Sequence, residues 1–492
     1  MRPTSWQWNV RAAGSALLCG AALWGCAAGP DFRVPPPVPD ATYTPVPQPT
    51  GTVGTQGPGG AAQRFVNVES VGGAWWRAFG CDDLDRLVQQ ALESSPTLLQ
   101  ARMRLEQARQ DYLAQAGGTQ WPQVDLSVNS TREKINPTAI GISSLIGNVT
   151  LPPFTLYQTK VSVSYTLDLF GANRRALEAV AAQADYQQFE LDAARLTLAG
   201  NVVTSVVRRA SLAAQIDLTE RILAVQESQL QITEQRLLAG GVAEGDLLSQ
   251  RTQVEQTRAS IAPLRAQLAQ ADHLLAVYLG RTPAEGTGRA PGLEKLVLPT
   301  ELPLTLPSAL ARQRPDIRAS EALLHQASAN VGVATANLYP QITLSGSFGP
   351  AGDKPSDLVT NVASMWSIGA GLTQPLFHGG QLRARQRSAQ DAYEAAAAGY
   401  RQTVLQGLQQ VADALRALEQ DAHELSARDS ALRDAQAAAN LARLRYEAGG
   451  LSMVAVLDAQ RQELQTALDR VRVHAQRLAD SAALYQALGA RP

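Results

Sequence analysis

The side chains able to do covalent or acid–base chemistry are few and scattered. Five histidines, His273, His325, His378, His423 and His474, stand far apart, with no HExxH and no pair at metal-ligand spacing. Cysteine occurs at Cys19, Cys26 and Cys81 without a CxxC, too sparsely for a disulfide framework. GxGxxG, a P-loop and GxSxG are also missing, so neither nucleotide binding nor a serine nucleophile is indicated. The expectation is a non-enzyme without metal or cofactor. Lys+Arg 43 against Asp+Glu 44 gives a net charge of −1, which offers no basic excess for phosphate backbones and argues against nucleic acid as a partner.

Cys26 is the exception. Arg2 and Arg11 precede an apolar run, Ala12 to Leu23, that ends in Leu23-Trp24-Gly25-Cys26. About 12 apolar residues fall short of the roughly 20 a helix needs to span a bilayer. Basic residues followed by such a run read instead as a secretory signal peptide. Leu at −3, a small residue at −1 and Cys at +1 resemble a bacterial lipobox. Residues 1–25 are therefore expected to be removed and Cys26 to carry covalent lipid, each buried CH₂ contributing roughly 0.8 kcal/mol. By resemblance to known sorting signals, Ala27 in place of Asp favours the outer membrane. From Pro30 to Gly60 the chain is rich in Pro, Gly and Thr and reads as an extended tether within a lipid-anchored segment, 26–80.

The elements behind these residues are written twice. Arg236-Leu-Leu-Ala-Gly-Gly241 returns as Arg445-Tyr-Glu-Ala-Gly-Gly450, Leu279-Gly280 as Leu488-Gly489, Trp121-Pro122-Gln123 as Tyr339-Pro340-Gln341, and Leu169-Phe170 as Leu376-Phe377. Two repeats, 81–280 and 307–492, are joined by a linker, 281–306. Ile216, Leu223, Leu230 and Leu237 recur every seventh residue, as do Leu247, Val254, Ile261, Leu268 and Leu275. Sustained heptads mean helices packed as coiled coils. Ala172 to Leu238 carries no proline and predicts about 100 Å of helix at 1.5 Å per residue. Its partner, Gly245 to Leu279, returns after the Ala239-Gly240-Gly241 turn. The second hairpin runs Gly380 to Ala448 and Leu451 to Leu488, turning at Gly449 and Gly450. Helices at Asp82–Gln115 and Pro307–Asn337 open the two repeats.

Between the opening helix and the long hairpin the period changes to two. Val124, Leu126 and Val128 alternate with polar residues, as do Val161, Val163 and Tyr165, then Ile342, Leu344 and Gly346, then Ile368, Ala370 and Leu372. Four strands follow, in β-hairpins at about 121–170 and 338–377, with loops at Thr131–Pro153 and Gly349–Ser364. Four strands cannot cross a membrane alone, because an open sheet leaves unpaired backbone groups in hydrocarbon. Several chains must close a barrel together. A mean hydropathy of −0.13 fits, since a barrel alternates lipid-facing and lumen-facing residues.

Cys26-Ala-Ala-Gly-Pro-Asp-Phe, Leu310-Ala-Arg-Gln-Arg-Pro-Asp-Ile-Arg-Ala-Ser-Glu-Ala-Leu-Leu, Ala334-Thr-Ala-Asn-Leu-Tyr-Pro-Gln-Ile, Leu167-Asp168-Leu169-Phe170-Gly171 and Val456-Leu457-Asp458-Ala459-Gln460-Arg461 occur in this order. The chain thereby resembles the outer-membrane efflux lipoproteins of the OprM and NodT type, relatives of TolC. That resemblance implies an α+β membrane protein: a homotrimer with a 12-stranded outer-membrane β-barrel, four strands per chain, continued by a long α-helical periplasmic barrel. It implies a passive exit duct for drugs or toxic compounds, working with a periplasmic adaptor (membrane fusion) protein and an inner-membrane efflux transporter and seated in outer-membrane lipid. It places a periplasmic gate at Asp458, Tyr446 and Asp246, beside the turns at Gly240, Gly241, Gly449 and Gly450. Asp458 matches a pore-facing aspartate, Tyr446 a tyrosine that holds the helices closed, and Asp246 a hydrogen-bonding partner. A second pore aspartate of some relatives is Ala455 here, and a latch arginine is Leu451. The competing expectation is a periplasmic coiled-coil adaptor or structural lipoprotein.

Overall fold

The computed structural model describes residues 27–36, 42–45, 50–69, 71–134, 152–359 and 364–490. Cys26 and the signal-peptide expectation lie outside the described residues, as do most of the loop 131–153 and residues 360–363. Eight α-helices are described: α1 (Asp82–Ser94), α2 (Pro96–Gln120), α3 (Ala172–Leu238), α4 (Glu244–Tyr278), α5 (Pro307–Gln313), α6 (Pro315–Ala336), α7 (Gln381–Glu447) and α8 (Met453–Ala487). The described strands are β1 (Arg64–Asn67), β2 (Gln123–Glu133), β3 (Phe154–Leu167), β4 (Glu301–Leu304), β5 (Gln341–Gly352) and β6 (Ser364–Thr373). The order helix, helix, strand, strand, long helix, shorter helix occurs twice. α3 and α7 both have 67 residues, and α4 and α8 both have 35.

The opening helices differ from expectation: each is two helices. Pro96 and Pro315 lack the N–H of a helix interior and push the preceding residue out of the α region. Ser95 (ψ 124°) and Arg314 (ψ 126°) are accordingly extended. Pro263, by contrast, is accommodated inside α4. β5 continues to Gly352, and a 3₁₀ turn, Pro355–Val359, follows where only loop was expected.

The chain divides into two compact units. One holds the described residues up to Val34 with Glu106–Tyr186 and Glu321–Gly399. Its centre is an antiparallel sheet of order β2-β3-β5-β6. Residues 27–34, in the segment expected to be lipid-anchored and, from Pro30, an extended tether, pack onto its helices. Asp31 pairs with buried Arg175, which also holds Glu178 at 2.7 Å, and Phe32 stacks on His325 with centroids 4.3 Å apart. Gly29 (φ 91°) crosses Gly332 so closely that a Cβ on it would lie 2.5 Å from the Gly332 Cα. Only glycine supplies both that backbone conformation and that approach.

The other unit holds Pro35–Leu105, Gln187–Ser320 and Tyr400–Pro492. Its core gathers Trp75, Phe79, Leu84 and Leu87 with Val202, Val206, Leu275, Leu302, Leu418 and Leu478. Trp75 stacks on Tyr485 at 5.3 Å. Pieces of the segment 26–80, expected to be lipid-anchored, and of the linker 281–306 join this core. β1 pairs in parallel with β4, Phe65 opposite Leu302, and Leu293, Leu296 and Leu298 are buried. Short apolar segments between prolines and glycines carry too little period to be read as elements, yet burying them stabilises by about 25 cal/mol per Å².

Candidate functional site

Paired residues across an antiparallel sheet share a face, and the register sorts this sheet into two unlike faces. On one lie Val124 opposite Val163, Leu126 opposite Val161, Val161 opposite Phe348, Leu344 opposite Ala370, Gly346 opposite Ile368 and Phe348 opposite Trp366. On the other lie Asp125 opposite Ser162, Ser127 opposite Lys160, Ser164 opposite Ser345 and Ser347 opposite Ser367. Ser347 and Ser367 hydroxyls hydrogen-bond at 2.8 Å. The apolar face is bare: Leu126 is 69% and Val124 64% exposed. A continuous exposed apolar face of this extent marks contact with lipid or a partner, and a polar opposite face suits water. The outer sides of β2 and β6 are open edges that invite strand pairing. No described helix is long and apolar enough to cross a membrane.

The four turn glycines stand where the sequence put them, and the geometry explains the repeated motif. Gly240 (φ 73°) and Gly449 (φ 76°) take the left-handed conformation. Gly240 N–H donates to Leu237 O (2.9 Å) and Gly241 N–H to Arg236 O (2.8 Å). Gly449 N–H donates to Tyr446 O (2.9 Å) and Gly450 N–H to Arg445 O (2.9 Å). These are paired Schellman closures, which satisfy the last carbonyls of a helix before it reverses. The Ser452 hydroxyl then caps α8 at the Ala455 N–H.

Asp458 is exposed on α8, with Oδ1 accepting from Arg461 Nη2 at 2.7 Å. Sequence reasoning missed this partner, although its i,i+3 spacing stands in Val456–Arg461. An exposed pair of this kind is worth about 0–1 kcal/mol, so the carboxylate stays available to other charges. Tyr446 is half-buried and packs with Leu451 and Ala459 against Ala442, Met453, Val456 and Leu457. Leu451 thus completes an apolar contact where a latch arginine is absent. Asp246 sits in the first turn of α4. Gln460 Nε2 donates to Gln229 Oε1 at 3.0 Å, linking α8 to α3.

A polar stripe on α8 was also missed. Arg470, His474, Arg477 and Ser481 recur at helical spacing on a face otherwise devoted to core. Arg477 is fully buried and donates to Gly59 O (2.8 Å), Thr52 Oγ1 (2.9 Å) and Ala61 O (2.9 Å). Arg470 donates to Pro58 O (2.9 Å) and to Asp429 (2.8 Å), while Gln63 donates to Pro299 O (2.9 Å) and Ser481 Oγ (3.0 Å). Residues 50–63 are therefore a strap clipped to α8, whereas the tether expectation ran to Gly60.

Two groups near Arg477 have shifted titrations: His474, which lies against the strap at Gly59, and Asp421. Burial, then Arg470 and Arg477, push His474 down to about 4 from 6.5. Burial, then Asp480 and Glu424, push Asp421 up to about 8 from 3.8, with Arg477 opposing. The unfolded chain protonates His474 below 6.5 and the folded one only near 4, so this group costs stability as pH falls through that window. Folded Asp421 keeps a proton that the unfolded chain releases above 3.8, so stability falls as pH rises toward about 8. The slopes oppose below pH 6.5, and above it Asp421 acts alone. The thermal midpoint in detergent is expected to decline from pH 6.5 to 8, and Asp421→Asn to flatten it. A wild-type midpoint constant over that interval would contradict the assignment.

Among the described residues no cluster of three or more His, Cys, Asp or Glu side chains is placed to hold a metal ion. The model of the family described as outer membrane efflux protein matches residues 87–281 and 306–490. Outer membrane protein OprJ of Pseudomonas aeruginosa is 29% identical over 489 residues, covering 96% of this chain and 95% of that protein. Pyoverdine export outer membrane protein OpmQ of Pseudomonas putida is 29% identical over 415 residues, 84% of this chain and 87% of OpmQ. The solved structure of the outer-membrane channel OprN superposes with a TM-score of 0.83 at 28% identity, covering 94% of this chain and 99% of that one. The chain belongs to the outer membrane efflux protein family. It is an outer-membrane efflux channel with a TolC-like fold, and its family consists of channels rather than enzymes.

Proposed function

We propose that the protein works as a homotrimer, each copy contributing β2, β3, β5 and β6 to one 12-stranded barrel, with the long hairpins forming a helical barrel in the periplasm. The two-faced sheet with open edges at β2 and β6 carries this reading. Apolar Val124, Leu126 and Ile368 face lipid, serines and threonines line the lumen, and the edges pair between copies so that no backbone group is stranded. Residues 81–280 and 307–492 act as two repeats of one plan. Cys26 carries the lipid once residues 1–25 are removed. A periplasmic adaptor and an inner-membrane transporter supply the cargo and the energy, and drugs or other toxic compounds leave passively.

The gate lies at the hairpin turns. Three copies of Asp458 around a neck form a carboxylate ring that favours cations, moderated by Arg461. Three copies of the Tyr446 cluster hold the hairpins closed, with Asp246 as a hydrogen-bonding partner. Single-channel recording on trimers tests this. Asp458→Ala and Tyr446→Phe are each expected to raise the closed-state conductance several-fold, and Asp458→Ala to weaken cation preference. Unchanged closed-state conductance removes both residues from the gate. Oligomeric state is tested separately by the mass of the detergent-extracted protein, expected at three acylated chains.

A further inference from the structure

We propose that Arg383 and Arg387, beneath Leu376 and Phe377, form a binding site for the headgroup of an anionic phospholipid in the periplasm-facing leaflet of the outer membrane. The inference rests on the outer-membrane channel reading. Trp121, Tyr339, Leu376 and Phe377 all stand at the end of the sheet where β2 and β5 begin and β6 finishes. Trp121 is 69%, Leu376 91% and Phe377 86% exposed, and Tyr339 stacks on Phe170 at 4.8 Å. Aromatic and apolar groups at this level match the boundary between hydrocarbon and headgroups. The N-terminal segment reaches the same place: Ala28 N–H donates to Phe170 O at 2.9 Å. Cys26, the residue proposed to carry lipid, directly precedes this segment in the sequence.

The chain next enters α7 as Gln381-Leu-Arg-Ala-Arg-Gln-Arg387, with no acidic residue in the first turn. Cations at a helix N-terminus oppose the helix dipole, so these arginines are not there for the helix. Arg383, Arg385 and Arg387 are exposed, and among the described residues none has an ion-pair partner in the chain. At 3.6 residues per turn Arg383 and Arg387 share one side of α7 and Arg385 takes the opposite side. Arg385 lines a cavity of about 310 Å³ with Asn337, Gln341, Thr373 and His378. Gln341 and Thr373 lie opposite one another on the polar face of the sheet, so Arg385 looks toward that side. Arg383 and Arg387 are left toward the apolar, lipid-facing side. Two guanidinium forks one turn apart suit the oxygens of a phosphodiester.

The test is native mass spectrometry of the full chain in detergent, titrated with phosphatidylglycerol or phosphatidylcholine of identical acyl chains. Two arginines predict roughly a 30-fold preference for phosphatidylglycerol, falling to a few-fold in the Arg383→Gln, Arg387→Gln double variant and persisting in Arg385→Gln. Equal retention of both lipids by the wild type, or an unchanged preference in the double variant, overturns the proposal. Inorganic phosphate binding as tightly as phosphatidylglycerol also overturns it, since the site is then one for phosphate alone. A protein that stays in solution without detergent defeats the channel reading itself, whereas a detergent-requiring protein without lipid preference defeats only the headgroup site.

Discussion

Leu126→Arg is expected to abolish assembly of the channel in the outer membrane, while Asn129→Arg, three residues along the same strand, leaves it assembled. Leu126 lies opposite Val161 on the apolar face and Asn129 opposite Gln158 on the polar one. An arginine on the lipid face near the bilayer midplane costs about 2–4 kcal/mol. In the proposed trimer that cost is incurred three times, on the order of 6–12 kcal/mol, comparable to the whole margin of a folded protein. On the lumenal face the same guanidinium stays in water. The measurement is the fraction of protein recovered from outer membranes at the assembled mass. Equal recovery of the two variants would mean that the apolar face does not meet lipid.

Arg477→Leu is expected to release the strap. Leucine fills much of the volume but leaves Gly59 O and Ala61 O without their donor, while Thr52 Oγ1 keeps only the Gln63 N–H. Each acceptor so stranded costs about 1–3 kcal/mol, giving a loss on the order of 2–5 kcal/mol for the two. Limited proteolysis should then cut within residues 50–63, which the wild type protects, and the unfolding midpoint should fall. Arg477→Lys keeps a charge but lacks the planar fork that serves three acceptors at once, so an intermediate loss is expected. A Leu variant as protease-resistant as wild type would show that the core around Leu302 and Leu478 holds the strap without Arg477.

The long elements were legible because their signals are repetitive. Heptads at Ile216–Leu237 and Leu247–Leu275 announce two helices whose packing recurs every seventh residue, and the alternation at Val124–Val128 announces a strand with one dry face. The turn glycines were legible because a helix reversing within three residues needs a left-handed residue, which Gly240 and Gly449 supply. What stayed hidden was non-local. β1 has four residues, and its partner is fixed only by folding. Pro96 and Pro315 stood in plain view, but a proline alone does not say whether a helix ends, as at Ser95, or continues, as through Pro263. Nothing in the sequence around Arg477 marks it for burial, and residues 52–61 supply its acceptors. Among the residues proposed for the gate, the neighbours of Tyr446 and the ion pair of Asp458 come from the same helical hairpin, so their spacing stands in the sequence. The role proposed for them at a three-fold neck depends on copies of the chain that no single sequence displays.

The strap also sets a clock. Thr52 and Arg477 are 425 positions apart and Gln63 and Ser481 418 apart, so neither contact can form until α8 has left the ribosome. At roughly 5–20 residues per second, the donors of α8 emerge about 20–85 s after their acceptors. β1 likewise waits for β4, 237 residues downstream of Arg64. Pairings of such separation slow folding through loop-closure entropy, and here they hold residues 50–63 out of the finished structure until synthesis is almost complete, whereas β1 waits only for β4.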